Sequence, residues 1–308
     1  NTAIVRTNFK NPKNEFEVLD FMTRYKLDDQ NFYSPPEIQR LIKPIKGLPK
    51  IKVLYNPTLE YANGKTKTYE KEDFIVSVFD EASYETLFLY TDIEKKKILE
   101  NKEFELSKSV YLNLSYNEKI DLPSLSKSEE ELKKTQEYWL NWCKKSPSFK
   151  SYNKEITRSS ITLKLLTFEK TGAVLAAATT SIPETIGEVR NWDYRFCWIR
   201  DASMVIKIIA KLGHQRIVKN FIDFIVNLIP NKNEKLQIMY GIDGQKTLTE
   251  KILKHLSGYK NSKPVRIGNA AYIQKQNDIY GILVDAIHFQ IEKFKDISYK
   301  HEQLWSIV

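Results

Sequence analysis

Residues 190–203, read RNWDYRFCWIRDAS, carry the densest chemistry in the chain. Four rings (Trp192, Tyr194, Phe196, Trp198), two acids (Asp193, Asp201) and three arginines (Arg190, Arg195, Arg200) share fourteen positions. Flat rings stack on the apolar face of a pyranose, and fixed charges hydrogen-bond its hydroxyls. A carbohydrate pocket needs both, because a sugar has an apolar face and a polar edge. A second stretch, residues 264–281 (PVRIGNAAYIQKQNDIYG), adds Arg266, Asn269, Tyr272, Gln276 and Asp278.

Other chemistries find no support. The four histidines, His214, His255, His288 and His301, show neither i, i+4 spacing nor a His-Glu-x-x-His pattern, so no metal site is expected. With ten glycines there is no Gly-x-Gly-x-x-Gly or P-loop, and no Gly-x-Ser-x-Gly elbow, so no cofactor is expected. Cys143 and Cys197 are the only cysteines, which is no disulfide framework and fits a reducing, cytoplasmic setting. Cys197 reads as a small buried residue.

The chain has 308 residues, 42% hydrophobic and 28% charged, which is ordinary globular composition and suggests two domains. The net charge is +9, but lysines usually sit beside acids, as in residues 94–97 and 129–134. That pattern reads as a solvated surface and not a nucleic-acid track. The densest apolar run, residues 221–229, is interrupted by Asp223 and Asn227 and is too short to cross a bilayer, so no membrane partner is expected. The chain opens at Asn1, which leaves any targeting segment open.

Two periods divide the elements that must position these residues. Residues 1–125 alternate apolar and polar side chains in short runs: 3–9, 15–22, 38–45, 51–55, 74–79, 85–90, 104–106 and 111–116. Asn11-Pro12 and Asn63-Gly64 read as turns, the second as a hairpin turn. This is the pattern of a β-sandwich. Residues 126–150 read as a charged helical linker with Ser126, Ser128 and the acids 129–131 at its start. Pro147 ends it, and Trp139 and Trp142 share one face suited to packing between domains. From residue 151 the period is helical, with helices expected over 155–168, 200–212, 215–228, 277–294 and 299–308.

Several stretches taken together, RSSITLKLL from Arg158, TGAVLAAATTSIPE, NWDYRFCWIRDAS, LQIMYGIDG and residues 264–281, resemble the bacterial branch of glycoside hydrolase family 15, which holds glucoamylases, glucodextranases and some trehalases. The resemblance implies an N-terminal β-sandwich, here lacking strands at its start, followed by an (α/α)6 barrel. About five of the roughly twelve barrel helices are present, so the barrel is incomplete, and a longer polypeptide is expected. In the family Arg200 and Asp201 correspond to a pair that holds the outer hydroxyls of the non-reducing terminal glucose. Tyr194 and Trp198 correspond to pocket aromatics, and Tyr272, Gln276 and Asp278 to residues lining the same pocket. Arg266 and Asn269 are further polar residues there, and Tyr240-Gly-Ile-Asp243-Gly a tight turn near its mouth.

Family members invert the anomeric centre with two glutamates across the bond. The motif of the general acid, Asp-x-Gly-Ile-Trp-Glu in type, is absent here, as is that of the base. Glu184 and Glu188 do not match either position, so no catalytic residue is assigned, and the 308-residue chain alone is expected to be inactive. The function implied is an exo-acting hydrolase that releases glucose from non-reducing ends of oligosaccharide or disaccharide α-glucosides, glucoamylase-like. A trehalase of the same family is the close alternative. A non-catalytic glucoamylase-like binding or regulatory domain, or a phosphorolytic relative, are the more distant ones. The oligomeric state stays open, a homo-oligomer included.

Overall fold

The computed structural model describes residues 1–28, 31–80, 84–228 and 235–295. The helix expected over residues 299–308 lies outside them. The chain divides into two compact units, Asn1–Trp142 and Cys143–Val308.

The first unit is built of β1 (Val5–Lys10), β2 (Glu15–Phe21), β3 (Tyr25–Lys26), β4 (Phe32–Tyr33), β5 (Glu37–Lys46), β6 (Lys50–Ile51), β7 (Thr66–Glu70), β8 (Ile75–Phe79), β9 (Thr86–Thr91), helix α1 (Lys95–Leu99), β10 (Phe104–Glu105), β11 (Val110–Tyr116) and helix α2 (Leu125–Cys143). Seven strands form one antiparallel sheet in the order β1-β2-β5-β11-β9-β8-β7. Alternation sorts its side chains. Val18, Ile42, Ile75, Leu89, Val110 and Leu112 face one way, into a core completed by Ile93, Ile98 of α1 and Leu106. Their neighbours Leu19, Leu41, Val76, Phe88, Tyr90 and Tyr111 face the other way, where Leu125 and Leu132 of α2 pack on them. A one-residue slip would exchange the two cores, so the register is strongly specified.

Asn11-Pro12 turns β1 into β2, with Asn11 N–H on the Asn14 carbonyl at 2.9 Å. The hairpin expected at Asn63-Gly64 is not formed there. These residues lead into β7, and the β7–β8 hairpin turns later, where Lys71 N–H meets the Phe74 carbonyl at 2.8 Å. The local Asn-Gly preference is overridden by the strand Thr66–Glu70, whose polar, exposed sequence gives no alternating signal. Helix α2 is capped one turn earlier than its serines 126 and 128 suggest: Ser124 Oγ accepts from Lys127 N–H at 3.1 Å. Trp139 and Trp142 are both buried and meet edge-on, with centroids 6.0 Å apart.

The second unit holds helices α3 (Asn153–Leu165), α4 (Ile199–Lys211), α5 (Gln215–Leu228) and α6 (Asp278–Phe294). Short ribbons lie between them: β12 (Cys197–Trp198) with β13 (Met239–Tyr240), and β14 (Lys251–Ile252) with β15 (Arg266–Ile267). Helix α4 buries Ile199, Ala202, Ser203, Ile206, Ile209 and Ala210, a helical stripe that packs on α5 and α6. Gly213 at φ +85° ends it and allows α5 to start two residues later. Among the described residues no helix is long and apolar enough to cross a membrane.

Candidate functional site

The loop before α4 is fixed by a fully buried acid. Asp193 Oδ1 accepts from Arg195 N–H at 3.1 Å and Arg195 Nε at 2.9 Å. Its Oδ2 accepts from Arg195 Nη2 at 2.8 Å and from Gly268 N–H at 3.0 Å. Asn269 Nδ2 adds a bond to the Asp193 carbonyl at 3.0 Å. Gly268 has φ +74°, and a Cβ there would lie 2.0 Å from the Thr249 carbonyl oxygen. Only glycine lets the backbone come this close while donating to Asp193. Arg266 fastens the same loop. It lies 4.5 Å over the Trp192 ring, pairs with Glu250 at 3.1 Å and donates to the Val189 carbonyl at 2.9 Å. The side chains of Arg266, Asn269, Trp192 and Asp193 are thus engaged in joining the two sequence motifs to each other.

On this frame five of the seven predicted residues gather around one guanidinium. Arg200 lies in the first turn of α4, just after β12. Its Nη1 donates to Gln276 Oε1 at 2.8 Å and lies 3.5 Å from Asp278 Oδ2. Its Nη2 is 3.6 Å from Asp201 Oδ2, and its centre is 5.8 Å from the Trp198 ring. Asp201 and Asp278 keep 46% and 48% of their side-chain surface, so the cluster opens to solvent. Among the described residues, two polar atoms in it, Trp198 Nε1 and Asp201 Oδ2, are buried without a hydrogen-bond partner. One is a donor and the other an acceptor, the pair that a polyhydroxylated ligand satisfies. Asp201 also stands in the first turn of α4, at the positive end of the helix dipole.

Tyr194 is near enough for the charge of Asp201 to act on it. Its hydroxyl donates to Glu184 Oε1 at 3.2 Å, and Glu184 Oε2 pairs with Arg190 Nε at 3.1 Å. Burial, then the Glu184 bond, raise the Tyr194 pKa above its ordinary value, so the phenol stays protonated as a donor. Glu184 stands ten positions before Tyr194, and nothing in its spacing marks it as a partner. Tyr272 is half-buried in the 3-10 turn Ala270–Ile273, its carbonyl accepting from Gln237 Nε2 at 3.3 Å. Among the described residues no hydrogen bond or ring interaction joins its side chain to the Arg200 group. The Tyr240–Gly244 segment is the expected tight turn, with Gly244 N–H on the Gly241 carbonyl at 3.0 Å.

A shallow depression of about 370 Å³ is lined by Arg195, Phe196, Ile242, Gln245 and Thr249 among others, and by none of the seven predicted residues. The Arg195 charge is already bound to Asp193, which leaves the depression poorly equipped to recognise a ligand. Cys197 is fully buried, and burial pushes its thiol pKa up to about 12, so it is no nucleophile. No group of three His, Cys, Asp or Glu able to hold a metal occurs among the described residues.

Residues 150–308 match the glycosyl hydrolases family 15, and the chain belongs to that family. It is similar to the trehalase of Thermoplasma acidophilum, 33% identical over 294 residues, which cover 93% of this chain and 49% of that protein. It is 32% identical to the trehalase of Mycobacterium tuberculosis over 285 residues, covering 87% of this chain and 41% of that protein. The trehalase of Mycolicibacterium smegmatis is 36% identical over 237 residues, 73% of this chain and 35% of that protein. The chain therefore spans 35–49% of the length of these relatives. All three bear the name of the alternative reading of the sequence, trehalase, and not of its main one.

Proposed function

We propose that this chain supplies the sugar-binding side of a trehalase active site, and that the full-length protein hydrolyses a glucose disaccharide. One observation carries the reading: Arg200 stands between Asp201, Gln276 and Asp278 beside the Trp198 ring, with a donor and an acceptor left over. A terminal glucose presents vicinal hydroxyls to such a group. Asp201 accepts from them, Arg200 donates through its planar fork, and Trp198 and Tyr194 offer ring faces to the pyranose. Holding that sugar fixes the anomeric carbon for attack.

The reaction itself needs two further carboxyls on opposite faces of the bond, one protonating the leaving oxygen and one activating water. None of the seven residues takes either part, and no cofactor is required. Trehalose is preferred over longer glucosides because the relatives bear that activity in their names. A cytoplasmic setting is supported by a sequence with two cysteines, too few for a disulfide framework. The test is a substrate panel on the full-length protein, followed by NMR of the anomers released. Trehalose should be hydrolysed with inversion. Release of glucose from maltodextrin but not trehalose would replace this reading with the glucoamylase-like one.

A further inference from the structure

The N-terminal unit holds a second cluster of polar side chains that neither its two cores nor the sugar site uses. On the sheet face shared with Leu41 and Tyr111, Glu37 and Gln39 of β5 lie in register with Ser115 and Asn113 of β11. Helix α2 brings Glu131 to the same place. Glu37, Gln39 and Asn113 expose 1–2% of their surface and Glu131 6%. Buried polar groups of this kind are normally paired in full.

Here they are not, and the hydrogen bonds show why. Gln39 Nε2 donates to Glu131 Oε2 and, at 2.8 Å, to Thr23 Oγ1. Asn113 Nδ2 donates to Glu37 Oε2 at 2.9 Å. Each amide thus turns its NH2 to a carboxylate, which leaves its oxygen without a donor. Glu37 Oε1, Gln39 Oε1 and Asn113 Oδ1 are all buried and unpartnered among the described residues. Three buried, unpartnered oxygens and two carboxylates thus share one face of the sheet, with Tyr33 within range of the Glu37 and Glu131 charges.

We propose that this cluster binds a hard metal cation, with Glu37 Oε1, Gln39 Oε1 and Asn113 Oδ1 as its protein ligands and Glu131 as the second negative charge. An all-oxygen set of carboxylate and amide carbonyls suits calcium-like ions, whose remaining positions are filled by water. A lone water brings two protons to three acceptors and leaves the buried carboxylate charge uncompensated, which is the costlier state. The site is independent of the sugar reading, since it lies wholly within the first unit.

Terbium(III), a luminescent stand-in for calcium, tests this on the full chain, excited through tyrosines such as Tyr33. One saturable emission, displaced by calcium chloride, is expected, with affinity lowered about tenfold or more in Glu37→Gln. Calcium chloride should raise the Tm of the parent and leave that of Glu37→Gln unchanged. If circular dichroism shows Glu37→Gln unfolded, Asn113→Asp takes its place. That variant adds a carboxylate ligand, and its Tm should depend on calcium more steeply than the parent's. A folded parent with no saturable emission, and with a Tm indifferent to calcium and magnesium chlorides, overturns the proposal and leaves a proton or water in the cation's place.

Discussion

Arg200 donates to Gln276 at 2.8 Å across 76 positions of sequence, and this bond ties the first turn of α4 to the segment that leads into α6. Arg200 is a third exposed, so its fork would otherwise sample several rotamers. Gln276 holds it with a neutral acceptor. Asp201 and Asp278 lie 3.6 and 3.5 Å from the same guanidinium, so Gln276 fixes the fork without adding a third carboxylate to it.

Replacing Gln276 by Leu in the full-length protein should lower kcat/KM by about 1.5–3 kcal/mol, the range of a hydrogen bond to a charged group. The Tm should move little, because Gln276 is half-exposed and its other side-chain bond among the described residues is to Gln274. Steady-state kinetics on trehalose beside a thermal melt decides it. A lost Tm with unchanged kinetics would make Gln276 a structural brace and not a positioning residue.

Two acids of the same motif should fail in opposite ways. Asp193 is fully buried and accepts four hydrogen bonds, three from Arg195 and one from Gly268. Asp193→Ala strands the Arg195 charge and should cost about 3–5 kcal/mol of stability. Asp201 is 46% exposed, and Asp201→Ala should change stability by less than about 1 kcal/mol while removing several kcal/mol of transition-state binding. Urea melts and kinetics on the two variants separate the roles. Similar destabilisation by both would sink the assignment of Asp201 to the sugar.

The resemblance gave Asp201 a role at the sugar, but the structural part of Asp193 was not legible in the sequence. Only the fold shows that Asp193 points inward, because its partner Gly268 comes from a segment 75 positions away. Likewise Arg266 and Asn269 read as polar pocket residues but spend their side chains on the frame. The strands and helices were legible wherever alternation or a helical stripe was strong, as in β11 and α4. They were missed where polar sequence forms structure through its neighbours, as in β7 and the two-residue ribbons β3 and β4. The Arg200 group was legible from its motif, whereas Glu184 beside Tyr194 carried no signal of type or spacing.

A pH-dependent weakness is built in just after α4. His214 is 6% exposed, with Nε2 3.0 Å from Ser146 Oγ. Burial, then the positive charges of Lys145 and Lys164, lower its pKa from 6.5 to about 4. The depressed value means that the folded protein disfavours the protonated ring, which the unfolded chain accepts freely near pH 6.5. Stability from this group is therefore whole above pH 6.5, drains as the pH falls towards 4, and is constant below. The loss should be on the order of 2 kcal/mol after solvent screening. His214→Gln keeps a neutral partner for Ser146 but cannot take up the proton. Urea melts of parent and variant should diverge in slope between pH 6.5 and 4 and run parallel outside that window. Parallel curves throughout would mean that water reaches the ring and that Lys145 and Lys164 do not act on it, since both causes must be removed to restore an ordinary titration.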